Sequence, residues 1–357
     1  MAAKTTNGSA IALKTTLSGL EIDGGNGADV ITADILFQGA DDPTKGYTYT
    51  IVGGNGDDIV WGSSRNETIW GDSNGNSSTS DNGADQLHGG GGDDQIQGGN
   101  GDDKIWGDDG NDTLFGDNGA DSLTGGLGAD VLTGGKGGDK FIYLLTTDST
   151  ANANGSWNPN TGDWIKDFNH SEGDKLDFTG FNDITGSGHP DKLTWDDSGT
   201  GGRYKIWTSN GFVYADTNGD STADLAIKVT GTVGANDFLG INHAPVAVSD
   251  TGTTDEDHSV VLNPLANDTD SDGDALSITT VSIAPGHGTA TITDSGHTIT
   301  YDPTSAYQYL AAGESVQVTI NYTISDGHGG TANAVEIVTV NGVDDVPIAV
   351  ADIGSMG

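Results

Sequence analysis

The sequence predicts an all-β protein: a parallel β-roll, a β-rich cap that closes it, and a C-terminal β-sandwich. Three observations carry this. From Gly53 the chain can be cut every nine residues without a gap, as far as the unit that starts at Gly134. Its 53 acidic residues are almost all Asp, 47 against 6 Glu, where a helical acidic surface would favour Glu, the better helix former. Beyond residue 242 the texture changes to short alternating strands, the pattern of a sandwich.

The composition bounds the rest. A net charge of -40 over 357 residues excludes ordinary nucleic-acid binding. With 58 glycines but only 8 prolines, neither collagen nor a Pro-rich linker fits. A hydrophobic content of 33 % suits several small cores, so two or three units are expected. There is no cysteine, hence no disulfide framework, thiolate metal site or thiol nucleophile. No apolar run approaches the ~18 residues of a membrane helix, and Met1 to Leu20 lacks the uninterrupted apolar region of a signal peptide. Residues 1–23 are read as a lead-in.

The roll is assigned to 24–143. Its units read GGNGADVIT at Gly24 and, from Gly89, GGGGDDQIQ, GGNGDDKIW, GDDGNDTLF, GDNGADSLT, GGLGADVLT and GGKGGDKFI. Place six holds Asp29, Asp58, Asp85, Asp94, Asp103, Asp112, Asp121, Asp130 and Asp139. Place eight holds Ile31, Val60, Ile69, Leu87, Ile96, Ile105, Leu114, Leu123, Leu132 and Phe141. Nine is not a helical spacing; a Gly-rich half followed by a short apolar-centred half reads as turn and strand, and stacked units make a parallel roll. Place eight would build the core. A column of Asp would repel itself unless hard cations sat between the carboxylates, and calcium suits such oxygen-rich surroundings. Ser73 to Asp81 departs from the pattern and is read as a nine-residue surface insertion.

The pattern GGxGxDxUx, with U apolar, resembles the RTX or haemolysin-type calcium repeat. That resemblance implies a right-handed roll with two units per coil and calcium bridged by place-six Asp two units apart. The pairs would be Asp94 with Asp112, Asp112 with Asp130, Asp85 with Asp103, Asp103 with Asp121, and Asp121 with Asp139.

From Phe141 the glycine code stops and aromatics appear, among them Trp157, Trp164, Phe168, Phe178 and Trp195. A solenoid must cover its open end, so 144–241 is read as a cap. The runs DWIKDFNHSEGDKLDFTGF and VYADTNGDSTADLAIKVTG resemble the C-terminal part of serralysin-type secreted proteases. In the second, Asp216, Asn218, Asp220, Thr222 and Asp224 alternate around Gly219, a spacing that can wrap a hard cation or simply form a polar hairpin turn.

Residues 242–346 form the third module. The segment PVAVSD at Pro245 recurs as PIAVAD at Pro347, 102 residues later, so 347–357 is read as the start of a second copy in a longer tandem protein. NDTDSDGDAL, SDGHGGTA and VDDVP resemble the VCBS and cadherin-like repeats of bacterial adhesins. Carried over, Glu256, Asp268, Asp270, Asp272 and Asp274, with Asp344 or Asp345, are candidate calcium ligands.

No H-E-x-x-H or G-x-S-x-G occurs, and no two of the eight His residues stand four apart, so no catalytic function is expected within this chain. Trp61, Trp70 and Trp106 occupy place nine; counted by units, Trp70 and Trp106 would share a sheet, offering a carbohydrate-binding face. The expected function is a secreted calcium-binding structural or adhesive protein that folds on meeting extracellular calcium, exported by type I secretion, with a cell-surface or extracellular polysaccharide or protein as partner. The alternative is the non-catalytic portion of a secreted hydrolase or polysaccharide-modifying enzyme.

Overall fold

A computed structural model describes residues 12–16, 19–33, 48–72, 83–181 and 192–344. The chain divides into two compact units, 1–241 and 242–357. In the first, successive nonapeptide strands alternate between a twelve-stranded and an eight-stranded sheet. Partners within a sheet are parallel and 18 residues apart, as when Leu114 pairs with Ile96 and Leu132, so two units make one coil.

This register follows from the repeat. Glycine at places two and four lets the backbone turn through positive φ, as at Gly99 (114°) and Gly101 (125°). From Gly89 onward, where place two is not glycine it is Asp, at Asp108 and Asp117, with φ of 70° and 73°, a region Asp tolerates better than most residues. Each turn then releases three residues into a strand whose middle side chain points inward. One file runs through Ile69, Ile96, Leu114, Leu132 and Ile165, the other through Val60, Leu87, Ile105, Leu123, Phe141 and Leu176. All are fully buried in one continuous core.

The pairing offset lengthens where the nonapeptide code is interrupted. Ile69 pairs with Ile96 and Val60 with Leu87, both 27 residues apart, because an extra unit intervenes. The proposed insertion, Ser73 to Asp81, itself lies outside the described residues. The extra unit changes one expectation. Trp70 lies in the twelve-stranded sheet beside Val52 and Gln97, whereas Trp61 and Trp106 share the eight-stranded sheet, with His88 between them. Counting units without removing the inserted one had put Trp70 with Trp106. The rings of Trp61, His88 and Trp106 stack on one another at 3.9 and 4.3 Å, so the indoles face the imidazole rather than presenting an open three-ring platform.

Neither end of the roll falls where the glycine code does. The strand Gly19–Asn26 already pairs in parallel with Thr48–Asn55, and Ala12–Thr16 adds an antiparallel strand outside it. At the other end Trp164–Ile165 and Lys175–Asp177 continue the two sheets in parallel register, so the cap begins as one more coil. The large sheet then turns antiparallel through Leu225–Val229, Phe212–Ala215 and Lys205–Ser209.

The second unit packs a four-stranded sheet on a three-stranded one. The long antiparallel pair Ser315–Ser325 and Thr331–Asn341 contributes Val318, Ile320, Tyr322, Ile324, Val338 and Val340 to its core, and the smaller sheet adds Leu262, Ile299 and Tyr301. Both buried tyrosines place their hydroxyls: Tyr322 donates to the Val248 carbonyl at 3.1 Å and Tyr301 to that of His287 at 2.9 Å.

Candidate metal centres

Each place-six Asp sits at the end of a Gly-rich turn, where the chain re-enters its sheet, and all nine are buried. From Asp103 to Asp139 their Oδ1 atoms accept the backbone N–H of the place-six residue two units earlier. Asp94 N–H donates to Asp112, and Asp112 N–H to Asp130, at 2.7 and 2.8 Å. On the other side Asp85 donates to Asp103, Asp103 to Asp121 and Asp121 to Asp139, at 2.8 to 2.9 Å. Every expected pair is therefore in direct contact. Asp29 joins through Asp58, and Asp58 through Asp85, despite the broken period between them. Glu67 takes place six ahead of Asp94, to which its N–H donates, and folds its own carboxylate back onto Ser63.

The second oxygen carries the site. Oδ2 of Asp29, Asp94, Asp103, Asp112, Asp121, Asp130 and Asp139 is buried and makes no hydrogen bond. Native proteins seldom bury such an atom without a partner, because it forfeits water for nothing. Burial accordingly pushes the carboxyls up: Asp103 to about 9, Asp94 and Asp112 to about 8, Asp121 and Asp130 to about 7, Asp139 to about 6, with neighbouring carboxylates adding and the accepted N–H partly offsetting. The orphaned oxygens face the glycine backbone. A Cβ at Gly107 would press on both Asp112 Oδ2 and the Gly125 carbonyl oxygen, so these two oxygens converge on space that only glycine leaves open. A regular column of carboxylate and carbonyl oxygens with unmet charge fits a hard divalent cation of flexible coordination. Gly107→Ala is expected to weaken calcium-induced folding severalfold in a calcium titration, since the methyl group fills that space; an unchanged midpoint would place the ion elsewhere.

Sequence reasoning missed two members of these ladders. Asp130 N–H donates to Asp163 and Asp139 N–H to Asp174, both at 3.0 Å. Their signal is G-D-x-U without the GGxG turn before it, Gly162-Asp163-Trp164-Ile165 and Gly173-Asp174-Lys175-Leu176.

The loop 216–224 is different. Asp216 accepts the N–H groups of Gly219 and Ser221, and Asp224 those of Thr217 and Asn218 together with the Asn218 side-chain amide. Asn218 accepts Asp220 N–H, and Asp220 accepts Thr222 N–H. The loop's own donors engage the alternating oxygens, as a polar hairpin turn would.

In the sandwich, Asp270, Asp272 and Asp274 bring carboxylate oxygens within 4.8 Å of one another. Oδ2 of Asp268, Asp270 and Asp274 has no hydrogen bond, while Asp272 accepts His243 N–H and Asp268 accepts Val248 N–H. Glu256 does not join them. It follows the strand Asp250–Asp255, whose other end adjoins Val248, and accepts Val343 N–H at 2.9 Å with Oε2 unmet. That places it on the Asp344 side; Asp345 lies outside the described residues.

Family models match two stretches. The RTX calcium-binding nonapeptide repeat covers residues 50–77, 79–114 and 106–141, and the bacterial Ig domain covers 242–341. No curated protein matches the chain. Among solved structures, the chain is similar to two repeat subunits of a mannuronan C5-epimerase from Azotobacter vinelandii. AlgE6R3 is 25 % identical, over 43 % of this chain and 78 % of that one, with a TM-score of 0.23. AlgE6R2 is 27 % identical, over 44 % and 89 %, also at 0.23. The extracellular lipase LipA of Serratia marcescens is 14 % identical, over 54 % and 40 %, at 0.18. The chain thus carries RTX calcium-binding repeats folded as a β-roll, followed by a bacterial Ig domain.

Proposed function

We propose that this is an extracellular bacterial protein of structural or adhesive role, whose roll takes up calcium ions along two Asp ladders and folds as it does so. The observation that carries the reading is the file of buried Oδ2 atoms without hydrogen bonds. Asp94, Asp112 and Asp130 would hold ions on one side and Asp103, Asp121 and Asp139 on the other, continuing through Asp85, Asp58 and Asp29, with glycine carbonyls completing each shell. Bound calcium supplies the positive charge that lets these carboxylates remain ionised out of water.

The charge balance supports the cellular setting. A chain of net charge -40 with little apolar content stays extended where calcium is scarce, which suits export in an unfolded state by type I secretion. Outside, the ions order it. No helix among the described residues is long and apolar enough to cross a membrane. The cap resembles that of serralysin-type proteins and the sandwich resembles VCBS and cadherin-like adhesin repeats, in which Asp268 to Asp274 and Glu256 would stiffen junctions with further calcium. We assign no catalysis to this chain; its role is to present a calcium-ordered surface to an extracellular polysaccharide or protein.

Far-UV circular dichroism tests this directly. Adding calcium through roughly 0.1–1 mM, the range of extracellular calcium modules, is expected to raise the β-signal steeply, with magnesium at the same concentration much less effective because it demands a tighter octahedral shell. A chain equally ordered in chelator at about pH 9, where the buried carboxyls would have to ionise without a cation, would defeat the proposal.

A further inference from the structure

The outer face of the twelve-stranded sheet changes character where the cap takes over from the repeats. Trp164–Ile165, Leu225–Val229 and Phe212–Ala215 lie side by side there, Trp164 opposite Lys228 and Lys228 opposite Phe212. Alternation along each strand turns Ile165, Ile227, Val229 and Val213 into the core and leaves Trp164, Lys166, Lys228, Phe212 and Tyr214 on the opposite face. Trp157 joins them from the excursion that precedes Trp164. Its ring lies 5.8 Å from that of Phe212, which in turn lies 5.9 Å from Tyr214. All four rings remain partly exposed.

Two lysines converge on one of these rings. The Lys228 ammonium stands 3.7 Å from the centre of the Trp164 indole and 5.5 Å from that of Trp157, and the Lys166 ammonium 4.9 Å from Trp164. The indole N–H donates to Thr230 Oγ1 at 2.9 Å, which fixes the ring between them. Each ammonium gains from the negative face of the ring, but the two repel each other. Neither makes an ion pair among the described residues, whereas Lys175 on the other sheet reaches buried Asp237 at 3.6 Å. In a chain with 53 acidic residues against 13 basic ones, this leaves a positive site on a surface that is otherwise negative.

We propose that this strip binds a polysaccharide through a single carboxylated sugar, whose acid group lies between Lys166 and Lys228 while neighbouring sugars lay their C–H faces on Trp157, Phe212 and Tyr214. The rings supply apolar area that a sugar face can cover, and the ammoniums supply the charge. The net charge of -40 narrows the choice of polymer. A nucleic acid, with a charge every ~1.7 Å, is repelled. A glycan with scattered uronic acids brings one charge to two cations, and at physiological ionic strength the remaining protein charge is screened beyond about 8 Å. The strip is three strands across, roughly 10 Å, which suits an extended chain. It is narrow for a protein partner, which needs about 800 Å² on each side. The inference rests on the extracellular binding role proposed above and gives it a partner and a surface.

Affinity electrophoresis of the calcium-loaded full chain tests it, in gels containing glucuronoxylan or highly methyl-esterified pectin, each beside its carboxyl-reduced form. At least one acidic polymer is expected to retard the chain. The dissociation constant should rise about tenfold or more in the double variant Lys166→Met/Lys228→Met, and by a similar factor when the polymer is carboxyl-reduced. Phe212→Ala should weaken binding to the acidic and reduced forms alike, and Lys104→Met, on the eight-stranded sheet, should change nothing. Equal affinity for acidic and reduced polymers, full affinity in the double variant, or a chain that neither polymer retards overturns the site. Should the double variant lose its calcium-ordered circular dichroism spectrum, Lys166→Met alone decides by the same comparison, because that side chain is exposed. A spectrum that calcium leaves unchanged counts against the ladders and not against the strip, whose retardation is read separately.

Discussion

Asp112→Ala is expected to raise the calcium concentration at half-maximal folding by roughly tenfold or more, and Asp109→Ala to leave it within about twofold. The two residues are three apart and carry the same charge, so bulk electrostatics cannot separate them. Asp112 is buried, accepts Asp94 N–H, passes its own N–H to Asp130 and keeps one oxygen unmet. Its removal strips an anionic donor from the rungs on both sides and strands a buried N–H, itself a loss of about 1–3 kcal/mol. Asp109 lies exposed at the end of the strand Lys104–Asp109, and what it gives the fold is its carbonyl, which accepts Gly92 N–H at 2.8 Å and survives the substitution. A calcium titration followed by circular dichroism reads both. Equal shifts would mean that the charge of the turn as a whole, not the place-six column, gathers the ions.

That test turns on register, the property most legible in the sequence. A strict period of nine places all the acidic side chains of one column at equal height, and the core file with them, because backbone pairing in a parallel coil leaves no freedom to slip once place eight is buried. Legibility ends where the period does. Asp163 and Asp174 hold the same place in the ladder as Asp130 and Asp139, yet only a single glycine precedes each, Gly162 and Gly173, and the spacing is broken: the chain reaches Asp163 through the long excursion 143–162 and Asp174 through the stretch 166–173, neither carrying the GGxG turn. Trp70 was misplaced because one inserted unit exchanges the two sheets for everything counted across it. The loop 216–224 shows a different limit. Alternating oxygens read the same whether a cation or backbone N–H groups engage them, and only the geometry reveals that Asp216 and Asp224 accept N–H groups of their own loop. Glu256 and Asp268 are close in sequence but lie toward opposite ends of the strand 250–255, a separation that spacing cannot express.

The largest effect should come from pH in the absence of calcium. With chelator present, the folded roll is expected to be most stable at about pH 4 and to lose its β-signal as pH rises through 6 to 9. The sign follows from which state holds protons more tightly. In the unfolded chain these carboxyls titrate at about 3.9. In the folded roll burial raises Asp139 to about 6, Asp121 and Asp130 to about 7, Asp94 and Asp112 to about 8 and Asp103 to about 9. Between those limits the folded state binds more protons, so its stability is fully present below the unfolded value and is lost as pH passes through the folded values. Calcium reverses the outcome by taking the protons' place. Its binding should release protons, and the calcium midpoint should fall as pH rises across the same window. Salt separates this cause from general repulsion in a chain of net charge -40. Screening at about 1 M monovalent salt quiets exposed charges but reaches buried ones poorly, so salt should not restore at pH 9 what calcium restores. A midpoint independent of pH from 6 to 9, or full recovery in salt, would show that the buried column is not where proton and calcium compete.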